Sequence, residues 1–218
     1  MDREILLVVD PMCSWCWGFS PTVTAIQEAY ADQAPIFPIV GGLRPLSTDP
    51  MNDRAKEEIR HHWDSVQKAS GQPFDFTFFD RDNFVYDTEP ACRALVTVRF
   101  LKPTVSLGFL TSMHQAFYAE NQDITDHEVL ADLAEKAGVS RDDFVEFFPS
   151  RKMIYLTASD FYRSQSMGVS GFPTVILRAN EKLSLLSAGF RPFEDLKPHL
   201  DQWLESGPEE GAVETEAL

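Results

Sequence analysis

Ile5-Leu6-Leu7-Val8-Val9-Asp10-Pro11-Met12-Cys13-Ser14-Trp15-Cys16 is the stretch on which the reading of this chain turns. The five apolar residues form a run of strand length with no polar alternation, as expected of a strand buried on both faces. Asp10-Pro11-Met12 breaks the run, and a helical pattern starts at or just after Cys13. Two cysteines with two residues between them can close a small disulfide ring and open it again. A thiol at a helix N-terminus lies against unpaired backbone N–H groups and the positive end of the helix dipole, which stabilise its thiolate. Because the thiolate is the nucleophile of disulfide exchange, the stretch predicts a redox site in which Cys13 attacks and Cys16 resolves.

The chain has 218 residues, 44% of them apolar, with 17 Phe and four Trp, enough for one large core or one domain with an insertion. Its formal net charge is -15. Such a charge repels nucleic acid and anionic membrane surfaces, so neither is expected as a partner. No segment is long and apolar enough for a membrane span. The start, Met1-Asp2-Arg3-Glu4, is acidic on balance and is followed by only five apolar residues, unlike the cationic start and longer apolar run of a secretory leader, so a cytoplasmic location is expected. Three cysteines are too few for a disulfide-stapled secreted domain. A zinc site needs about four ligands. Beyond the close pair only Cys92 and scattered histidines remain, so no metal is expected, and a cluster held by four cysteines is excluded.

Working outward, a first strand is expected at about 4–10 and a helix at about 13–32. That helix has Val23, Ile26 and Tyr30 on its apolar face, and Pro21 should kink it or set off its first turn. A second strand covers 36–40 and stops at Gly41-Gly42. From about 45 to 165 the pattern is helical. Asp49-Pro50 reads as a cap with proline at the first helical position, Phe74–Phe79 as an aromatic linker or short strand, and Thr88 as the cap of a helix with Ala91, Leu95 and Val98 inward. Leu110, Met113 and Phe117 mark another helix. Thr125-x-x-Glu128 and Ser140-x-x-Asp143 resemble capping boxes, and a helix is expected over about 151–167. A hairpin follows, with strands at Thr174–Leu177 and Lys182–Ala188, and then a helix over about 194–204. Segments 1–44 and 168–205 are too small to fold alone and combine most simply into one mixed sheet, with 45–167 inserted as a helical block. Residues 206–218, which hold four Glu and no Lys or Arg, read as an acidic disordered tail.

This order of elements resembles the DsbA family of thiol–disulfide oxidoreductases, and within it the cytosolic branch described as protein-disulfide isomerases with a Cys-x-x-Cys motif. Two motifs carry the resemblance: Asp10-Pro11-Met12-Cys13-Ser14-Trp15-Cys16-Trp17-Gly18-Phe19, and Gly168-Val169-Ser170-Gly171-Phe172-Pro173-Thr174. It implies an α/β thioredoxin-like fold, a mixed sheet flanked by helices, with a helical insertion. It also implies a cis Pro173 packed against the cysteine pair, with Phe172 and Thr174 flanking a substrate groove that Ser14 and Trp15 also border. Cis bonds are only about 5–6% of X–Pro bonds in folded proteins.

The chain departs from the family pattern in two ways. Ser14-Trp15 stands where strongly oxidising members carry Pro-His, and tryptophan supplies no charge. The acid often found six residues before the first cysteine is replaced by Leu7. Asp10 is the nearest acid, at a spacing that does not match that role.

Three functions remain open. The first is a dithiol–disulfide oxidoreductase, a protein-disulfide reductase or isomerase, that acts on cysteine-containing proteins or small disulfides. It needs no bound cofactor and could be reduced by glutathione. The second is a glutathione-dependent transferase or isomerase of the kappa-class or hydroxychromene-carboxylate-isomerase type, although those use serine where this chain has Cys13. The third is a non-catalytic module that holds cysteine-containing clients.

Cys92 reads first as a buried small hydrophobe and alternatively as an auxiliary thiol near the pair. Trp15 reads as exposed toward substrate and Trp17 as packed inward. Gly41-Gly42-Leu43-Arg44 is either a plain turn or an approach to the active site. His61-His62 reads as part of a solvated helix face. No hydrolase elbow, phosphate loop or His-Glu-x-x-His motif is present.

Overall fold

A computed structural model describes residues 3–206. The buried run becomes β1 (Arg3–Val9), one of the two inner strands of a four-stranded sheet. On one side it pairs in parallel with β2 (Ile36–Val40), with Ile5 opposite Ile36 and Val9 opposite Val40. On the other it pairs antiparallel with β3 (Thr174–Ala179), with Leu7 opposite Val175. The hairpin partner β4 (Lys182–Ala188) completes the order β2-β1-β3-β4. The sheet is therefore mixed, and its central strand joins chain ends that lie far apart in sequence.

The period of two explains why β1 is apolar throughout. Ile5, Leu7 and Val9 face the main core, whereas Leu6 and Val8 face a second cluster with Ile39 and Ile176. All five are buried, each contributing about 1.5–3 kcal/mol of transfer free energy as an upper bound. Pro38, which cannot donate to a ladder, lies in β2 at the sheet edge, where proline is tolerated. Its carbonyl accepts instead from Arg99.

Helix α1 (Ser14–Tyr30) follows the motif and runs unbroken through Pro21. The carbonyl that Pro21 leaves without its helical donor, that of Trp17, accepts from Gln72 Nε2 at 3.3 Å. The helix continues through Pro21 with this side chain supplying the missing hydrogen bond.

Between β2 and β3 the chain is helical. Helix α2 (Asp53–Ser70) starts later than expected: its cap is Asn52, whose side chain accepts from Ala55 N–H, and not Asp49. Pro50 instead forms an isolated bridge with Val85. The aromatic stretch folds as a 3-10 turn (Phe76–Asp80). It surrounds Trp63, which has no exposed surface and has the rings of Phe74, Phe78, Phe79 and Tyr118 at 4.8–5.2 Å.

Helix α3 (Glu89–Leu101) buries Ala91, Leu95 and Val98 as expected. Thr88 stands at its cap position without capping it, because its hydroxyl accepts from Arg44 N–H. Helix α4 (Ser106–His114) passes into one π-helical turn (Gln115–Ala119), and Leu110, Met113 and Phe117 are buried. Helix α5 (His127–Lys136) is capped by Asp126 and not by Thr125, whereas Ser140 caps α6 (Arg141–Phe147) as expected. Helix α7 (Arg151–Ser166) packs on α3 and β2. Its Asp160 forms a two-pronged ion pair with Arg99 at 2.7 and 3.1 Å and accepts from Val40 N–H, tying the helices to the end of β2. Helix α8 (Phe193–Glu205) closes the chain against α1. The expected acidic tail, apart from Ser206, lies outside the described residues.

Candidate active site

Cys13 is the N-cap residue of α1, with extended backbone (φ -93, ψ 115) and no side chain spent on capping. Its N–H is held by the Asp10 carbonyl at 3.0 Å, and its own carbonyl accepts from Cys16 at 2.9 Å and Trp17 at 3.2 Å. The strand end thus delivers one sulfur to the positive end of a helix of 17 residues and the other one turn along it. All three cysteines are thiols. Burial pushes the Cys16 thiol well up, and its hydrogen bond with Cys13 and the charges of Cys13 and Asp10 add to this. The two sulfurs are therefore unequal: Cys13 stands at the helix terminus beside the Phe172 carbonyl, while burial disfavours charge on Cys16.

The second motif meets the first in space. The Phe172–Pro173 peptide bond is cis, and the Phe172 carbonyl lies 3.5 Å from Cys13 Sγ. This loop is fixed on both flanks, by Thr174 Oγ1 donating to the Gly171 carbonyl at 2.8 Å and Gly189 N–H donating to the Pro173 carbonyl at 2.7 Å. Gly41 approaches the same loop. A Cβ built on it would lie 1.9 Å from the Phe172 ring, so only glycine fits there. The Gly41-Gly42 turn is thus part of the site's wall. Ser14 is half-buried. Trp15 is also half-buried, its ring 5.9 Å from that of Phe190, and less open than the sequence reading expected. Trp17 packs inward and donates from Nε1 to the Pro73 carbonyl at 3.0 Å. His61 and His62 lie on the exposed side of α2, away from these groups.

Beneath the pair lies a buried polar layer, most of which the sequence reading missed. Asp10 has no exposed surface. Its Oδ1 accepts from Met12 N–H at 2.8 Å, and its Oδ2 accepts from Leu43 N–H at 2.6 Å and from the Cys92 thiol at 3.3 Å. Burial raises the Asp10 carboxyl, and these hydrogen bonds partly offset the rise. Cys92 is fully buried, as its hydrophobe reading expected, but its sulfur bonds the acid at the foot of the motif. Tyr86 donates to the Met12 carbonyl at 2.6 Å. His114 is paired through Nδ1 with Ser20 Oγ at 3.1 Å, and burial pulls it down to about 3, so the ring is neutral. Its Nε2 and the Tyr118 hydroxyl have no hydrogen-bond partner among the described residues. Tyr86, His114 and Tyr118 lacked a sequence signal because single aromatics and histidines in a helical block look like any other core positions.

Among the described residues no group of three or more His, Cys, Asp or Glu side chains is placed to hold a metal ion, and no helix is long and apolar enough to cross a membrane.

Residues 4–201 match the DSBA-like thioredoxin domain family. The chain belongs to that family.

The structure of a candidate protein disulfide isomerase from Nitrosomonas europaea is 34% identical and superposes with a TM-score of 0.88, covering 94% of this chain and 98% of that one. The cytosolic disulfide reductase DsbM of Pseudomonas aeruginosa shares the fold at 24% identity and a TM-score of 0.76, covering 92% of this chain and 98% of that one. Among curated proteins, the ClpXP adapter protein SpxH of Bacillus subtilis is 23% identical over 174 residues, 79% of this chain and 57% of its own length. The SpxH of Halalkalibacterium halodurans is likewise 23% identical, over 177 residues and 58% of its length. The chain thus spans under two thirds of the length of these adapters. Within the DSBA-like frame, Asp10, Cys92 and the Gly41 approach are features of this chain that its close cysteine pair alone did not announce.

Proposed function

We propose that the protein is a thiol–disulfide oxidoreductase that cycles Cys13 and Cys16 between dithiol and disulfide, acting as a reductase or isomerase in the cytoplasm. The observation that carries this reading is Cys13 Sγ at the start of α1, facing the Phe172 carbonyl beside cis Pro173. In the forward direction the Cys13 thiolate attacks one sulfur of a substrate disulfide. The substrate S–S bond breaks, its other sulfur leaves as a thiolate that takes up a proton, and a mixed disulfide remains on Cys13. Cys16 then loses its proton and attacks Cys13 Sγ. The substrate's remaining sulfur leaves as a thiol, and the Cys13–Cys16 disulfide is reduced again by an external thiol. Glutathione suits that role, and a DsbM structure is described with it. Against a cytosolic poise of about -220 to -320 mV, reduction and isomerisation are the favoured directions. Phe172, Pro173 and Thr174 would line the substrate on one side and Ser14 and Trp15 on the other. The substrates would be cysteine-containing proteins or small disulfides.

The test is Cys16→Ser, which leaves the attacking thiol and removes the resolving one. Mixed disulfides should accumulate on Cys13, and the variant should lose the insulin reduction that the wild type shows. If nothing is trapped and the wild type does not reduce insulin, the proposal fails.

A second reading, client binding without redox turnover, draws on the adapter name of the curated relatives. It predicts function that survives Cys13→Ser/Cys16→Ser. The glutathione-dependent isomerase reading rests on a likeness of fold alone, to a 2-hydroxychromene-2-carboxylate isomerase at 12% identity and a TM-score of 0.62.

A further inference from the structure

The thiol of Cys92 has no role in the cycle above, yet it is one of the groups that hold the buried acid beneath the motif. We infer that Cys92 is a positioning residue for the redox centre: its hydrogen bond to Asp10 fixes the conditions under which a negative charge stands below Cys13 and Cys16. The inference rests on the proposed redox reading and deepens it.

The geometry comes from three directions. The turn of the motif supplies Met12 N–H, the loop after β2 supplies Leu43 N–H, and α3 supplies the Cys92 thiol, all to one carboxylate without solvent contact. The two backbone donors are present whatever the side chains are. Cys92 is a donor that substitution can remove. Burial disfavours the charged carboxylate, and every donor aimed at it favours it. Removing one therefore lets Asp10 keep its proton to higher pH.

The other groups around Asp10 do not compete in the neutral range. Tyr86 and Tyr118 are pushed above the ordinary range for tyrosine, chiefly by burial, and His114 stays neutral. Arg44, packed over the Tyr86 ring, is a permanent cation. Glu89 lies farther along α3, is raised by burial and is paired with Arg93. That leaves the two active-site thiols. Burial is the main cause that pushes Cys16 upward and the charge of Asp10 adds to it, so ionised Asp10 opposes thiolate formation in the reduced pair. Reduction of the disulfide takes two electrons and up to two protons from the glutathione couple. An anion that makes the thiolate costlier lowers the reduction potential, and protonation of Asp10 relieves it. The potential of the pair should therefore change slope with pH where Asp10 titrates.

The experiment equilibrates the full-length protein with reduced and oxidised glutathione across a pH series and reads the Cys13–Cys16 state by thiol alkylation and mass. Wild type should show the break. Asp10→Asn should lose it. Cys92→Ala should move it to higher pH, and Cys92→Ser, which keeps an O–H donor, should return it toward the wild-type position. Thermal unfolding gives the control. A purely structural role predicts that serine, a buried hydroxyl replacing a thiol, is at least as disruptive as alanine in both readouts. Equal breaks in wild type, Cys92→Ala and Cys92→Ser would overturn the inference while leaving the redox reading intact. A wild-type pair that never cycles with glutathione would overturn both.

Discussion

Replacing Gly41 by alanine should damage the site from a position that carries no chemistry. The Gly41 N–H is pinned to the Val9 carbonyl at 2.8 Å, so the backbone cannot retreat without losing the end of the β1–β2 pairing. The new Cβ would lie 1.9 Å from Phe172 Cε1 and 2.1 Å from Cζ, where ordinary contact begins at 3.4 Å. The ring must therefore move by at least about 1.5 Å, the difference between 3.4 and 1.9. Overpacking of this kind costs about 1–3 kcal/mol. In a domain of this size each kcal/mol lowers Tm by about 2–4 °C, which gives a fall of roughly 2–12 °C. Phe172 also presents its carbonyl to Cys13 Sγ at 3.5 Å. A misplacement near 1 Å can cost on the order of 100-fold in rate, so insulin reduction should fall roughly 10- to 100-fold. Gly171→Ala is the matched control, since nothing lies within 4 Å of its Cβ and its φ is not in the left-handed region. It should stay within about 0.5 kcal/mol of wild type. Adding Phe172→Ala to Gly41→Ala should restore Tm beyond the sum of the single effects. If Gly41→Ala matches Gly171→Ala in both Tm and rate, the claim that Gly41 shapes the loop is wrong.

Three further outcomes follow from the buried groups. His114 is held neutral in the folded protein at about 3, whereas an unfolded histidine takes a proton near 6.5, so its stabilisation is full above about pH 6.5 and is lost as pH falls toward 3. Urea unfolding across that window should show a component near 1.4 kcal/mol per pH unit that His114→Leu abolishes. Trp63→Ala should cost about 3–5 kcal/mol by chemical denaturation, because it empties the centre of the aromatic cluster. Iodoacetamide should leave Cys92 unmodified in the native protein and label it after unfolding, since its sulfur is buried and its thiol is pushed well up by that burial; native labelling would contradict its placement.

The sequence revealed those parts of the fold where local chemistry and tertiary packing agree. Ile5–Val9 is apolar on both faces and became the central strand, and Ser140 and Ser150 capped helices where a capping pattern or helix start was visible. Failures came where two neighbouring residues could do the same job. Asn52 captured the start of α2 from Asp49, and Asp126 captured α5 from Thr125, because a cap is chosen by which side chain reaches the free N–H. Pro21 was expected to kink α1 or set off its first turn; the helix runs on through it, and Gln72, a residue beyond the end of another helix that no local window can connect to it, donates to the Trp17 carbonyl.

The site divides in the same way. Cys13 and the Phe172-Pro173 step announced themselves by motif. Asp10 did not, because its spacing from Cys13 argued against a role and only its burial and partners give it one. Cys92, Tyr86 and His114 converge on the motif through the packing of α3, α4 and the segment before α3, and pairwise distance across a core has no single-sequence signature.

The redox cycle is tested most directly by peptide mapping of the wild-type protein after oxidation by glutathione disulfide and again after reduction. A reversible loss of two hydrogens is expected, located in a single Cys13–Cys16 disulfide, with Cys92 a free thiol throughout. A stable disulfide that involves Cys92, or a Cys13–Cys16 pair that remains dithiol through the whole cycle, would contradict it.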